Sequence, residues 1–323
     1  MHTTLPPLQP VVEWHDVDAA TFRDDVMTQY RPAILRGAVR HWPAVQLALQ
    51  SPSAVAHYLG DMDNGANVDA IMTPSEAHGR IFYRDDMSGF NFIRSQLPVS
   101  AVLSQLARYI NVEHPPSVAI LGAAIDDCLP GFGVDHALAL LDAAAPARIW
   151  IGNHALTPAY FEQAGKLACV VSGLHRYTLF PPGQIGNLYV GPPDFSPMPT
   201  PVSMVSFKQP DFQRHPNFRS ALAHAQVAEL EPGDALYIPA LWWHHTESIG
   251  KLNILLNHQC GAAAAQTPLA CLIACLAALK ELPPEQRQAW ATLIQHYLPL
   301  NGHDPAAHIP PHKHGVLARP DFS

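Results

Sequence analysis

The chain has 323 residues, with 19 Lys and Arg against 27 Asp and Glu for a formal charge of −8, and 19 histidines. An acidic chain without a basic run excludes binding along a phosphate backbone and polybasic attachment to anionic lipid. With 48% hydrophobic and only 14% charged residues it has ample material for a buried core and is not a disordered chain.

At about 150 residues per domain the length allows two domains, or one large β-barrel with accessory helices. MHTTLPPLQPVVEWHD has no cationic stretch leading into an apolar one, so a cytoplasmic protein is expected. Beyond it, AATFRDDVMTQ and SPSAVAHYLG read as helices and PAILRGA as a short buried strand. From Arg148 the texture changes. RIWIGN, KLACVVSG, RYTLFPP, NLYVGP, ALYIPA and NILLNHQC are short runs rich in Ile, Val, Leu, Tyr and Phe, separated by Gly, Pro and Asn, which predicts the strands of a sandwich or barrel.

After Gln266 the periodicity is helical, with Leu269, Leu272, Ile273, Leu276 and Leu279 on one stripe and Trp290, Leu293, Ile294 and Tyr297 on another. An αα-hairpin turned at Leu282-Pro283-Pro284 is expected. Its apolar run, Pro268 to Leu279, is shorter than the roughly 18 residues a membrane span needs. The segment from Gly302 to Ser323, rich in Pro and His, is expected to be a mobile tail, and its histidines to be solvated. The five cysteines, Cys128, Cys169, Cys260, Cys271 and Cys275, show neither CxxC nor zinc spacing and read as reduced thiols.

No GxSxG, HExxH or phosphate-loop motif is present. The densest polar-aromatic cluster, Trp242-Trp243-His244-His245-Thr246-Glu247-Ser248, follows a predicted strand and reads either as the aromatic edge of a core or as a site. Adjacent carboxylates at Asp85-Asp86 and Asp126-Asp127 suit turns and surfaces better than acid-base pairs.

Taken in order, PAILRGAVRHWPA, FYRDDMSGFNF, RIWIGN, ACVVSGLHRYTLFPPGQIGNLYVGP and GDALYIPALWWHHTESI resemble the cupin-like JmjC family of iron(II)- and 2-oxoglutarate-dependent oxygenases, from about Pro32 to Cys260. The resemblance implies a mainly-β fold with flanking helices: a double-stranded β-helix with N-terminal α/β elements and a C-terminal helical hairpin. It divides the chain into a barrel domain over 1–262, a hairpin over 263–301 that joins two copies into a homodimer, and a tail over 302–323. It also implies Fe(II) and 2-oxoglutarate as cofactors, and a small molecule or protein side chain as substrate. No nucleic-acid or membrane partner is expected.

Family members hold iron through a His-x-Asp pair and a distal His. Residues i and i+2 of a strand face the same way, so one segment supplies two ligands while the third arrives across the barrel, and an open face is left for cosubstrate and oxygen. The resemblance places the distal ligand on His244 and the His-x-Asp pair on Tyr160 and Glu162, with His154 a weaker substitute outside the matched register. It places the cosubstrate contacts on Thr157, His175 and Asn257, with Ile120 where a tyrosine often stands, and the substrate mouth on Arg84, Asp85 and Trp243.

Tyr160, Glu162, His175 and Ile120 all depart from the family pattern. A phenol must ionise to bind metal well and suits ferric iron, and a histidine is a cation only when protonated. Three readings follow: an oxygenase of reduced or altered activity, a non-catalytic barrel binding a small molecule or peptide, or a site for ferric iron or zinc.

Overall fold

The computed structural model describes residues 8–141, 146–260, 268–298 and 304–317. Contacts divide the chain into two compact units, 1–265 and 266–323.

The first unit begins with β1 (Gln9–Pro10) and β2 (Val12–His15). A single helical turn α1 (Ala19–Thr21) then starts at the Asp18 carboxylate, which accepts from Thr21 N at 2.7 Å. The predicted N-terminal helix does not run on regularly from there. It winds into a π turn at Phe22–Val26 and a 3-10 turn at Met27–Gln29, and Tyr30 closes it in the left-handed region (φ 49°).

β3 (Ala33–Arg36), α2 (Pro43–Gln50) and α3 (Pro52–Met62) follow. Ser51 caps α3 by accepting from Ala54 N, and Pro52 takes the first-turn position, where no backbone donor is needed. Next come β4 (Val68–Thr73), β5 (Ile93–Leu97) and α4 (Val99–Tyr109), whose Val99, Val102, Leu103 and Leu106 form one buried stripe. β6 (Ser117–Ala124) leads through the single turns α5 (Ile125–Cys128) and α6 (Phe132–Asp135) to β7 (Ala147–Gly152) and β8 (Ala155–Tyr160). β9 (Gly165–Phe180), α7 (Phe218–Ala223), β10 (Gln226–Leu230), β11 (Ala235–Ile238) and β12 (Trp243–Cys260) complete the unit.

The sheet runs β2-β3-β11-β9-β12-β7-β6-β4-β5, with β10 also on β9 and β8 also on β12. Its axis is the antiparallel pair β9–β12, and both strands bend. KLACVVSG and RYTLFPP, predicted as separate strands, are one strand that turns at Gly173 (φ +81°). β12 likewise runs on from Trp243 in the cluster after the predicted strand into NILLNHQC, with Gly250 (φ +139°) at the bend and a register shift between Ile249 and Ile254. Glycine inside a strand here marks a corner, not an end. The first half of β9 pairs with β11 and the second with β10; the first half of β12 pairs with β8 and the second with β7. Each long strand thus serves both layers of a double-stranded β-helix, as the resemblance implies.

NLYVGP is not a strand. A 3-10 turn covers Pro182–Asn187, Tyr189 has φ 50°, and only Val190 makes an isolated bridge, to Ser203. The Pro192-Pro193 pair removes the next two backbone donors, which prevents a ladder from continuing.

Alternation along β9 sorts the core. Leu167, Cys169 and Val171 face an outer core shared with Val45, Val55, Leu59 and Val102, while Ala168, Val170, Tyr177 and Leu179 face the barrel interior with Leu236 and Leu255. In the second unit, α8 (Pro268–Leu279) and α9 (Pro284–Tyr297) are followed by 3-10 turns at Pro311–Lys313 and Gly315–Leu317. The expected domain boundary at 262/263 lies outside the described residues. Among the described residues no helix is long and apolar enough to cross a membrane.

Candidate functional site

β8 is buried at every position and ends on Tyr160, and His244, the second residue of β12, pairs with both Tyr160 and Leu179. Strand alternation turns His244, Thr246 and Ser248 to the barrel interior, and Trp243 and His245 outward. His244 is wholly buried, and its Nδ1 donates to Trp242 O at 3.1 Å, which leaves Nε2 as an acceptor.

A residue that sequence reasoning passed over fills the centre of this group. Lys166, the second residue of β9, reaches in among the three predicted metal ligands. Its Nζ donates to His244 Nε2 at 2.9 Å, to Tyr160 OH at 3.4 Å and to Glu162 Oε1 at 3.4 Å. An ammonium has three N–H donors, and here it meets three acceptors.

Burial pulls the Lys166 amine below the ordinary lysine range, an effect the Glu162 carboxylate opposes. Burial also lifts the Tyr160 hydroxyl well above the ordinary phenol range, reinforced by Glu162, and holds His244 well below the ordinary histidine range, reinforced by Lys166. The phenol therefore keeps its proton and the imidazole is neutral at physiological pH.

These residues do not fit an iron ion. The single lone pair of His244 points at an ammonium, Tyr160 is not a phenolate, and the point where the donors converge already carries a positive charge. Among the described residues no group of three or more His, Cys, Asp or Glu side chains is arranged to hold a metal. His154, the alternative ligand, lies outside the group, with Nδ1 donating to Ser248 O at 3.1 Å.

The predicted cosubstrate residues do come together. Ile120, Thr157, Tyr160, Lys166, His175 and Asn257 line one cavity with Trp150 and Tyr177, of about 50 Å³, room for a few water molecules. His175 is 2% exposed. Its Nε2 donates to Ser172 O at 3.3 Å and its Nδ1 accepts from Ser248 Oγ at 3.3 Å. Burial pushes its pKa down to about 4, so it is neutral near pH 7 and supplies no charge to a carboxylate. Thr157 Oγ1 accepts from Thr246 N at 3.2 Å. Lys166 is the one Lys or Arg side chain among the described residues lining the cavity.

The predicted substrate-mouth residues lie elsewhere. Trp243 packs edge-on against Phe161, ring centres 4.9 Å apart, in a cluster with Phe180 and Phe218. Arg84 and Asp85 are exposed; Arg84 Nε donates to Phe90 O at 3.1 Å and faces a separate groove with Glu76 and Phe92.

A barrel bent at two glycines, with His244 opposite the end of β8, agrees with the comparison by family: residues 19–258 match the cupin-like domain. The chain belongs to the cupin-like domain family. Three relatives are similar to all or part of this cupin-like chain. The bifunctional peptidase and (3S)-lysyl hydroxylase JMJD7 of Homo sapiens is 25% identical over 260 residues, covering 70% of this chain and 76% of that protein. HSPB1-associated protein 1 of Homo sapiens is 36% identical over 113 residues, 34% of this chain, and the lysine-specific demethylase JMJ31 of Arabidopsis thaliana is 30% identical over 125 residues, 36% of this chain. The matched stretch spans 22% of the HSPB1-associated protein and 21% of the demethylase.

Lys166 had a signal in the sequence. It is a charged residue at the head of KLACVVSG, in a strand predicted to be buried, four residues after Glu162. A lysine there needs an acid partner inside the barrel.

Proposed function

We propose that this cupin-like chain is a non-catalytic binding protein that holds a small uncharged molecule in the barrel cavity and does not oxidise it with 2-oxoglutarate. The observation that carries the reading is the charge of the cavity wall. A dicarboxylate needs a free cation, yet Lys166 is engaged by three protein acceptors and His175 is neutral. The walls that remain, Ile120, Ile151, Trp150 and Leu255 with Thr157 and Asn257, suit an apolar molecule of only a few heavy atoms with one hydrogen-bonding group.

The family's Fe(II) and 2-oxoglutarate chemistry remains the competing reading, favoured by the lysyl hydroxylase relative that matches most of the chain. Incubation with iron(II), ascorbate and 2-oxoglutarate separates the two. The expected result is no succinate and no heat of 2-oxoglutarate binding; stoichiometric succinate would sink the binding-protein reading.

The setting we propose is cytoplasmic, supported by five cysteines that form no disulfide. The partner we propose for the exposed apolar stripe on α9 is a second copy of this chain.

A further inference from the structure

The three side chains around Lys166 Nζ come from separate places in the barrel: Tyr160 ends β8, Glu162 follows it in the turn, and His244 opens β12. Lys166 reaches them from β9, the strand that pairs with β12. Its ammonium therefore joins the same segments that one shared metal ion would join, and it does so as part of the chain. We propose that Lys166 is a tethered cation standing in the place of the metal, closing the barrel end without any ion, and that the site beneath it is a latent divalent-metal site.

Charge and geometry support the assignment independently of the ligand question. Lys166 has a side chain 8% exposed, so its ammonium has little water to fall back on, while the Glu162 side chain, 33% exposed, supplies the counter-charge. Without Lys166, the neutral His244 nitrogen and the Glu162 carboxylate face a common void with the Tyr160 hydroxyl beside them. Imidazole and carboxylate are both zinc ligands, and water would complete the coordination of this two-residue site.

The test uses the full chain and zinc alone as the probe. Wild type, Lys166→Ala and Lys166→Gln are purified, dialysed against zinc and then against buffer, and their bound zinc and thermal midpoints are measured. Each is paired with the same protein carrying His244→Ala, which removes uptake by histidines outside the barrel from the comparison. Wild type is expected to hold no zinc that depends on His244. Lys166→Ala is expected to hold one equivalent that does, to melt about 5 °C lower without zinc, and to recover most of that loss with it.

Lys166→Gln, which keeps much of the length but not the charge, is expected to melt lower than wild type as well. Its result decides the matter if Lys166→Ala fails to fold. Two outcomes overturn the proposal: His244-dependent zinc in the wild type, or a Lys166→Ala or Lys166→Gln protein that melts like wild type and takes up no zinc.

Discussion

Lys166 Nζ lies 2.9 Å from His244 Nε2, and both residues are buried. Because His244 Nδ1–H is held by Trp242 O, the imidazole has one lone pair to offer, and Lys166 and a metal ion compete for it. Restoring the family's His-x-Asp pair by Tyr160→His and Glu162→Asp is therefore expected to leave the protein without stoichiometric iron. Adding Lys166→Ala to that pair is expected to yield one iron per chain by colorimetric assay after anaerobic loading. Full iron in the double variant would show that the lysine yields to a complete ligand set.

His175 makes the fold sensitive to mild acid. The unfolded chain protonates this histidine below about pH 6.5, whereas in the fold it stays neutral down to about 4. Between those values the unfolded state binds more protons, so stability rises with pH across the window. The contribution is complete above pH 6.5 and lost as the pH falls through 4, about 3 kcal/mol in all for a shift of this size. Chemical denaturation at pH 7 and pH 4.5 is expected to show wild type losing about 2 kcal/mol more than His175→Gln over that interval. Equal losses in the two proteins would mean that His175 titrates in the fold as it does in the unfolded chain.

Gly173 sets the corner at which β9 passes from one layer of the barrel to the other. Its φ of +81° disfavours any side chain, and an added Cβ would collide with Asn253 Oδ1 and crowd Leu252 O. Gly173→Ala is expected to cost about 3 kcal/mol, seen as a thermal midpoint lower by roughly 6–12 °C. A matching change at Gly37 (φ +68°), which has nothing within 4 Å of its Cβ position, carries backbone strain alone and is expected to cost about 1 kcal/mol. Similar losses at both sites would leave the close approach of Asn253 without energetic weight.

RIWIGN, KLACVVSG, RYTLFPP, ALYIPA and NILLNHQC were legible because strands buried on both faces of a barrel need short continuous apolar, β-branched runs bounded by Gly, Pro and Asn, a composition that NLYVGP shares without pairing as a strand. Their joining was not, since Gly173 and Gly250 signal a break and a bend with the same letter. Thr157, His175, Asn257 and Ile120, grouped by the resemblance, line one cavity because strand register carries positions across the barrel. Lys166 was passed over although a charge at the head of an apolar strand was its signal, because which acceptors its long side chain reaches on β8 and β12 is not encoded by any spacing rule. Arg84, Asp85 and Trp243 were grouped with the cavity on sequence proximity to matched segments; Arg84 and Asp85 are exposed, and Trp243 is buried in the cluster with Phe180.

The α9 helix carries Trp290, Leu293, Ile294 and Tyr297 at i, i+3, i+4 and i+7, and all four are exposed. α8 exposes Leu272 and Leu276 in the same unit. An apolar stripe of this length on a water-facing helix is costly for a monomer and matches the seam of a helical dimer. Light scattering is expected to give the wild type a mass near twice that of one chain. Trp290→Ser with Leu293→Glu places a polar group and a carboxylate in the seam, and two copies would bring those carboxylates together. That variant is expected to run as a monomer while the far-ultraviolet spectrum of its β-rich unit stays unchanged, because none of that unit's core residues is altered. A wild type that is monomeric at micromolar concentration would remove the self-pairing reading and leave the stripe to a different partner.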